Sequence, residues 1–304
     1  MINNIGTITK QKLLKKFKTP ENIYNLKDKN ELIKCGIREE TIDNIMNKKT
    51  KEYLMEYMKI MEKRKIKIVT IEDRQYPQIL KNIYDYPISL YVKGNENILN
   101  NTAIGIVGCR EATRYGINAA QYFAYNLAKK DISIVSGLAK GIDSYSHIGA
   151  IKAKGKTIGV VGNGLDIIYP KQNAYLYDKI IQEGGAVLSE YPIGTQPEKR
   201  NFPARNRIIS GMSKGIIVVE AKKKSGTLIT VDFALEQGRD VYVVPGNINS
   251  ENSIGTNELI KQGALLVSDY KDILKYGYNR KFWYIFEVVV LKELKILIFI
   301  KIHP

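Results

Sequence analysis

From residue 102 onward, short β-branched runs alternate with segments of helical period, and no other feature of the chain narrows its fold as far. "TAIGIVG" leads to "GINAAQYFAYNLAKK", "ISIVSG" to "DSYSHIGAIKAKG" and "TIGVVG" to "NAYLYDKIIQEGG". The series continues through "AVLSE", "ARNRIISGMSKG", "IIVVE", "GTLITVDFALEQG", "DVYVVPG" and "NELIKQG". The strand-like runs are apolar at consecutive positions, so both faces of each strand need cover. That is the condition of a parallel sheet between two helix layers. The pattern predicts a doubly wound, Rossmann-like α/β domain over about 101–270, with "KIKIVT" and "PISLYVKG" as strands appended ahead of it. Ligands of such sheets sit outside the carboxyl ends of the strands.

The first 65 residues have a different texture. "TKQKLLKKF" is expected to form a helix after a Thr9 N-cap, and "KNELIKCG" to end on Gly36. "REETIDNIMNKK" and "KEYLMEYMKIMEKR" carry apolar residues three or four apart. Short helices joined by a turn such as "NNIGTITKQ" suggest a small all-helical domain of helix-hairpin-helix or SAM-like type over 1–65. The sheet domain then spans 66–275. Residues 276–304 form an atypical tail holding Trp283, the only tryptophan, with Phe282, Phe286 and Phe299.

Charge says what kind of partner to look for. Against 31 acidic residues stand 47 lysines and arginines, a net of +16. Such a balance suits nucleic acid or an acidic membrane face, although a Lys-, Asn- and Ile-rich composition also raises it. The two cysteines, Cys35 and Cys109, make no CxxC pair, which fits a reducing compartment. No stretch approaches the roughly 20 apolar residues of a membrane span. The nearest, 285–300, is broken by Glu287, Lys292, Glu293 and Lys295. The expectation is a soluble, cytoplasmic protein.

The cations gather in the loops that should follow the strands. Arg110 and Arg114 lie in "GCREATRYG", Lys140 in "SGLAKGID" and Lys171 in "GNGLDIIYPKQN". Lys199, Arg200, Arg205 and Arg207 surround Phe202 in "EKRNFPARNR", and "EAKKKSGT" follows the next strand. A dinucleotide is a poor fit, because G-x-G-x-x-G requires glycine where Arg110 stands and the second strand ends "IVSG" without an acidic residue. No cofactor is implied. An arginine in that turn can instead grip a phosphate, and several such cations suit a polyanion. A ring beside them suits an unpaired base, which a duplex would hide. The reading is single-stranded nucleic acid, with a base on Phe202. The alternative is that Phe202 anchors the loop while Arg205 and Arg207 bridge acidic neighbours.

Taken together, "GIVGCREATRYG", "SGLAKGIDSYSHIGA", "GVVGNGLDIIYPKQN", "SEYPIGTQPEKRNFPARNRIISG", "VVEAKKKSGTLIT" and "GRDVYVVPGNINSENSIGTNELIKQGA" resemble the DNA-processing protein A (DprA/Smf) family over about residues 66–270. The helices of the first 65 residues look like the SAM-like domain that family often carries. The resemblance implies a cytoplasmic, non-enzymatic, homodimeric protein that binds single-stranded DNA and helps load the RecA recombinase during natural transformation. It marks Arg110 as a phosphate ligand, Lys199 and Phe202 as the lysine and base-contacting phenylalanine, and Arg205, Asn206 and Arg207 as the RNR element. Ser136, Gly137 and Lys140 match the SGLAxGID loop, and Lys171 lies in the YPxxN element. Many members end in a winged-helix-like domain, for which residues after 276 leave no room.

The competing reading is a phosphoribohydrolase acting on nucleotide derivatives. Its PGGxGTxxE loop would need a glutamate where "KSGTLIT" places Thr230. Glu190 and Glu220 end strands as candidate acid/base groups, but orienting an arginine or capping a helix is the simpler role for each. Asp143 and His147 lack a third metal ligand, so a helix N-cap and a packed histidine are expected. Cys109 is expected to be a buried filler.

Overall fold

The computed structural model describes residues 5–46 and 50–278, with the side chains of 276–278 excepted. Trp283 and nearly all of the tail set apart above lie outside the described residues. Five helices come first: α1 (Thr7–Phe17), α2 (Pro20–Tyr24), α3 (Asn30–Ile33), α4 (Glu39–Met46) and α5 (Lys51–Lys63). Helix α1 starts two residues ahead of its expected N-cap, with Gly6 in that place. Thr50 caps α5 by accepting from Tyr53 N, 3.2 Å away. Ile5, Leu13, Ile23, Leu32, Ile42 and Ile45 form a core of their own inside this group. Tyr57 and Met61 of α5 face elsewhere and pack with Ile66, Tyr91, Leu165 and Tyr177 of the sheet layer.

The remainder alternates as the residue pattern predicts: β1 (Ile66–Thr70), β2 (Ser89–Gly94), β3 (Ala103–Val107), α6 (Arg114–Ala128), β4 (Ser133–Ser136), α7 (Ile142–Lys152), β5 (Thr157–Val160) and α8 (Ala174–Gln182). There follow β6 (Ala186–Ser189), α9 (Asn201–Gly211), β7 (Gly215–Val218), α10 (Gly226–Glu236), β8 (Asp240–Val243), α11 (Ile254–Lys261), β9 (Leu265–Leu266) and α12 (Tyr270–Tyr278). All nine strands join one sheet in the order β1-β2-β6-β5-β4-β3-β7-β8-β9. From β6 to β9 the pairing is parallel. The pair β1–β2 is antiparallel and extends the sheet through β6.

Every residue of β3, β4, β5, β6 and β7 is buried. One face of these strands packs in a cluster that includes Val135, Ile158, Leu188, Ile208 and Ile216. The other packs with Phe123, Ala124, Leu127 and Ile142 of α6 and α7. Chain order reverses beside β3, where β4 lies on one side and β7 on the other. Among the described residues, no helix is long and apolar enough to cross a membrane.

Candidate nucleic-acid interface

The loops leaving the carboxyl ends of β3, β4, β5 and β6 meet above the sheet. The first two touch at Gly141, whose φ is +73°. A side chain there would be strained and would collide with the carbonyl oxygens of Cys109 and Arg110. Glycine therefore lets the Arg110 turn settle against the start of α7. Arg110 is exposed, and its guanidinium stands over the Phe202 ring, 5.8 Å from the centroid. That is cation–π range.

Phe202 lies in the first turn of α9 and is half-buried. Gly162 underlies it: a Cβ at that position would lie 3.3 Å from Phe202 Cδ1 and 3.2 Å from the Asn201 carbonyl oxygen. Lys140, Lys171 and Lys199 are exposed, each from a different loop of the same rim. Arg200 is exposed too, paired with Glu198 at 2.7 Å. Asn206 is half-buried on α9.

Two residues expected on the phosphate surface are placed otherwise. Arg205 is 5% exposed, and its Nη1 donates to the carbonyls of Gly137 and Val160 at the ends of β4 and β5. Burial holds its pKa down to about 10, still charged at neutral pH, against the opposing pull of Asp143. Burial in turn pushes the Asp143 carboxyl up, countered by Arg205. Arg207 is 4% exposed and bound to Glu190 and, at 3.0 Å, to Asp85. Helix α9 thus presents Phe202 upward and sends both arginines inward. An unpaired charge inside a fold costs several kcal/mol, so Arg207 arrives with two carboxylates, and Arg205 with two carbonyl acceptors and the field of Asp143.

Ser136 and Gly137 are buried as well. Ser136 Oγ donates to the Ile106 carbonyl at 2.6 Å, and Gly137 offers its carbonyl to Arg205. These two shape the loop from beneath. The exposed cations and the ring stand above it.

The reversal point beside β3 holds an anion of the protein's own. Glu220, 1% exposed, follows β7 and reaches the N-terminus of α6. Its carboxylate accepts from Thr113 N at 3.0 Å and from Thr113 Oγ1. Asn252 Nδ2 donates to it at 3.5 Å. Thr113 also caps α6 by accepting from Gly116 N at 3.1 Å. A cavity of about 450 Å³ adjoins, lined by Thr113, Tyr115, Glu220, Pro245 and Asn247 among others. Glu190 and Glu220 therefore orient an arginine and cap a helix.

Asp143 is not the N-cap of α7 but lies in its first turn, and Gly141 stands in the cap position. His147 is fully buried, Nδ1 2.6 Å from Thr157 Oγ1, and burial pushes its pKa down to about 3. Among the described residues no group of three His, Cys, Asp or Glu is placed to hold a metal. Cys109 is buried, and burial pushes its thiol up. Thr230 is buried inside α10.

One residue that motif spacing did not single out joins the site. Tyr169, in the loop after β5, lies against Phe202 with ring centroids 5.5 Å apart and planes 34° apart. It is 45% exposed.

The profile of the family described as DNA recombination-mediator protein A matches residues 67–277. The chain belongs to that family. It is 46% identical over 211 residues to the DNA processing protein DprA of Bacillus subtilis, covering 69% of this chain and 71% of that one. The crystal structure of DprA from Streptococcus pneumoniae superposes with a TM-score of 0.79 at 37% identity, covering 90% of this chain and 94% of that one. A second solved member, from Helicobacter pylori, superposes at 0.63 with 31% identity over 69% of this chain and 95% of that one. That structure was described for its single-stranded DNA binding mode. The family accounts for the matched motifs and the DNA-processing role.

Proposed function

We propose that this chain binds single-stranded DNA across the rim formed by the loops after β3, β4, β5 and β6. In this reading it protects incoming strands in the cytoplasm and, as a homodimer, helps load a RecA-type recombinase during natural transformation. Arg110, Lys140, Lys171 and Lys199 meet phosphates, and Asn206 lies within reach of the strand on α9. Phe202 meets a base. Arg205, Arg207, Ser136 and Gly137 hold the loops that carry these groups.

The observation that carries the proposal is the half-exposed Phe202 ring with the Arg110 guanidinium 5.8 Å above it, on an edge where exposed cations outnumber carboxylates. Phosphate charge supplies affinity, and base stacking supplies preference for an unpaired strand. The Helicobacter pylori relative, described as binding single-stranded DNA, adds support. A binding rather than hydrolytic role is supported by Glu220, whose oxygens are engaged at the α6 terminus, and by Thr230 standing where a hydrolase loop would need glutamate.

An anisotropy titration with labelled oligo-dT and with duplex of equal length tests the reading. Tighter binding to oligo-dT is expected, and equal affinity would contradict it. Light scattering after size exclusion, with and without the strand, reads the dimer. RecA filament growth on a strand precoated with single-strand-binding protein reads the loading.

A further inference from the structure

Phe202 is the less open of the two rings at this site. It is half-buried, seated on the Gly162 backbone, overlain by Arg110 and flanked by Tyr169. Tyr169 is the more exposed of the two rings, at 45%. Its hydroxyl makes no hydrogen bond among the described residues, and Phe202 is the only aromatic ring against it there.

We infer that Tyr169 is a second base platform: an unpaired base of the bound strand stacks on its free face, while Phe202 backs it and Arg110 holds the adjoining phosphate. This rests on the single-strand reading and deepens it. The centroid spacing of 5.5 Å leaves no room for a base between the two rings as they stand, so the base stacks on the outside of the pair. Lys171, two residues on and exposed, lies on the same loop to meet the next phosphate. Every base has a π-face, so the platform reads unpaired state rather than sequence. Aromatic stacking of this kind carries about 1–3 kcal/mol per base, enough to change affinity about 5- to 150-fold.

The test compares wild type, Tyr169→Ala and Tyr169→Phe on oligo-dT and on an abasic deoxyribose-phosphate strand of equal length. Tyr169→Ala is expected to weaken oligo-dT binding by about 5- to 150-fold and leave the abasic strand unchanged, whereas Tyr169→Phe keeps both. Unchanged oligo-dT binding by Tyr169→Ala would overturn the inference, and so would an equal loss on both strands, which marks a scaffold. Should Tyr169→Ala melt early, ultraviolet cross-linking of wild type to 5-iododeoxyuridine oligomers replaces it. An adduct on Tyr169 supports the platform, and adducts confined to Phe202 overturn it. A wild type that ignores oligo-dT altogether would overturn both readings.

Discussion

Two stretches of one sheet edge, both beyond the carboxyl ends of strands, carry opposite charge. Between β3 and β7 the buried carboxylate of Glu220 occupies the N-terminus of α6. Over β4, β5 and β6, Arg110, Lys140, Lys171 and Lys199 stand in solvent around an aromatic pair. A helix N-terminus is a ready anion site, and the reversal point of such a sheet is where ligands are generally found. Here the protein fills that site with its own anion. A phosphate approaching α6 would meet a carboxylate already bonded to the backbone N–H of the cap residue Thr113. Topology nominates a place for the ligand, and the side chains at each loop decide whether it is open.

The largest effect expected from breaking this contrast comes from beneath the rim. Arg205→Ala takes the donor from the Gly137 and Val160 carbonyls and removes the charge that opposes the upward push on the buried Asp143 carboxyl, and loss of such a buried charge costs about 3–5 kcal/mol. The urea midpoint should fall accordingly, while exposed Lys199→Ala stays within about 0.5 kcal/mol of wild type. An Arg205→Ala protein of full stability would return that residue to the phosphate surface. A smaller change is expected in the crevice. Glu220→Gln removes the charge but retains an acceptor at α6, for a loss of about 1–2 kcal/mol. Sulfate should then stabilise the variant more than the wild type, because the helix terminus has become available to an outside anion. Equal salt responses would show that the carboxylate does not guard that end. The finest distinction is on the rim itself: Arg110→Ala should lower the slope of log affinity against log salt by about 0.7, one phosphate on a single strand. An unchanged slope would place Arg110 off the strand's path.

The alternation of strands and helices was legible because each run is local, and so were the loops that follow. Phe202, Arg110 and Lys199 stand out as candidates because their loops follow strand ends, and the fold sets Arg110 over the Phe202 ring. What could not be read was which cations turn inward. In "EKRNFPARNR" all four basic residues look alike. Arg207 is set apart from exposed Lys199 and Arg200 by Glu190, 17 residues away, and by Asp85, and Arg205 by the carbonyls of Gly137 and Val160, 68 and 45 residues away. Helical phase does not sort them either. A position three residues after Phe202 shares its side of α9, yet Arg205 reaches down to the strand ends all the same. Tyr169 was hidden for a similar reason. It opens the YPxxN element, in which only Lys171 is picked out, and only the fold brings it to a ring 33 positions further along the chain.

Thr7 at the start of α1 donates to Glu190 at 2.7 Å, and the same carboxylate grips Arg207. The helical module is thereby clipped to the underside of the helix that carries Phe202. Together with the Tyr57 hydroxyl, which accepts from Ile193 N at 3.0 Å, this carboxylate ties the helical module to the loop and helix on either side of Lys199.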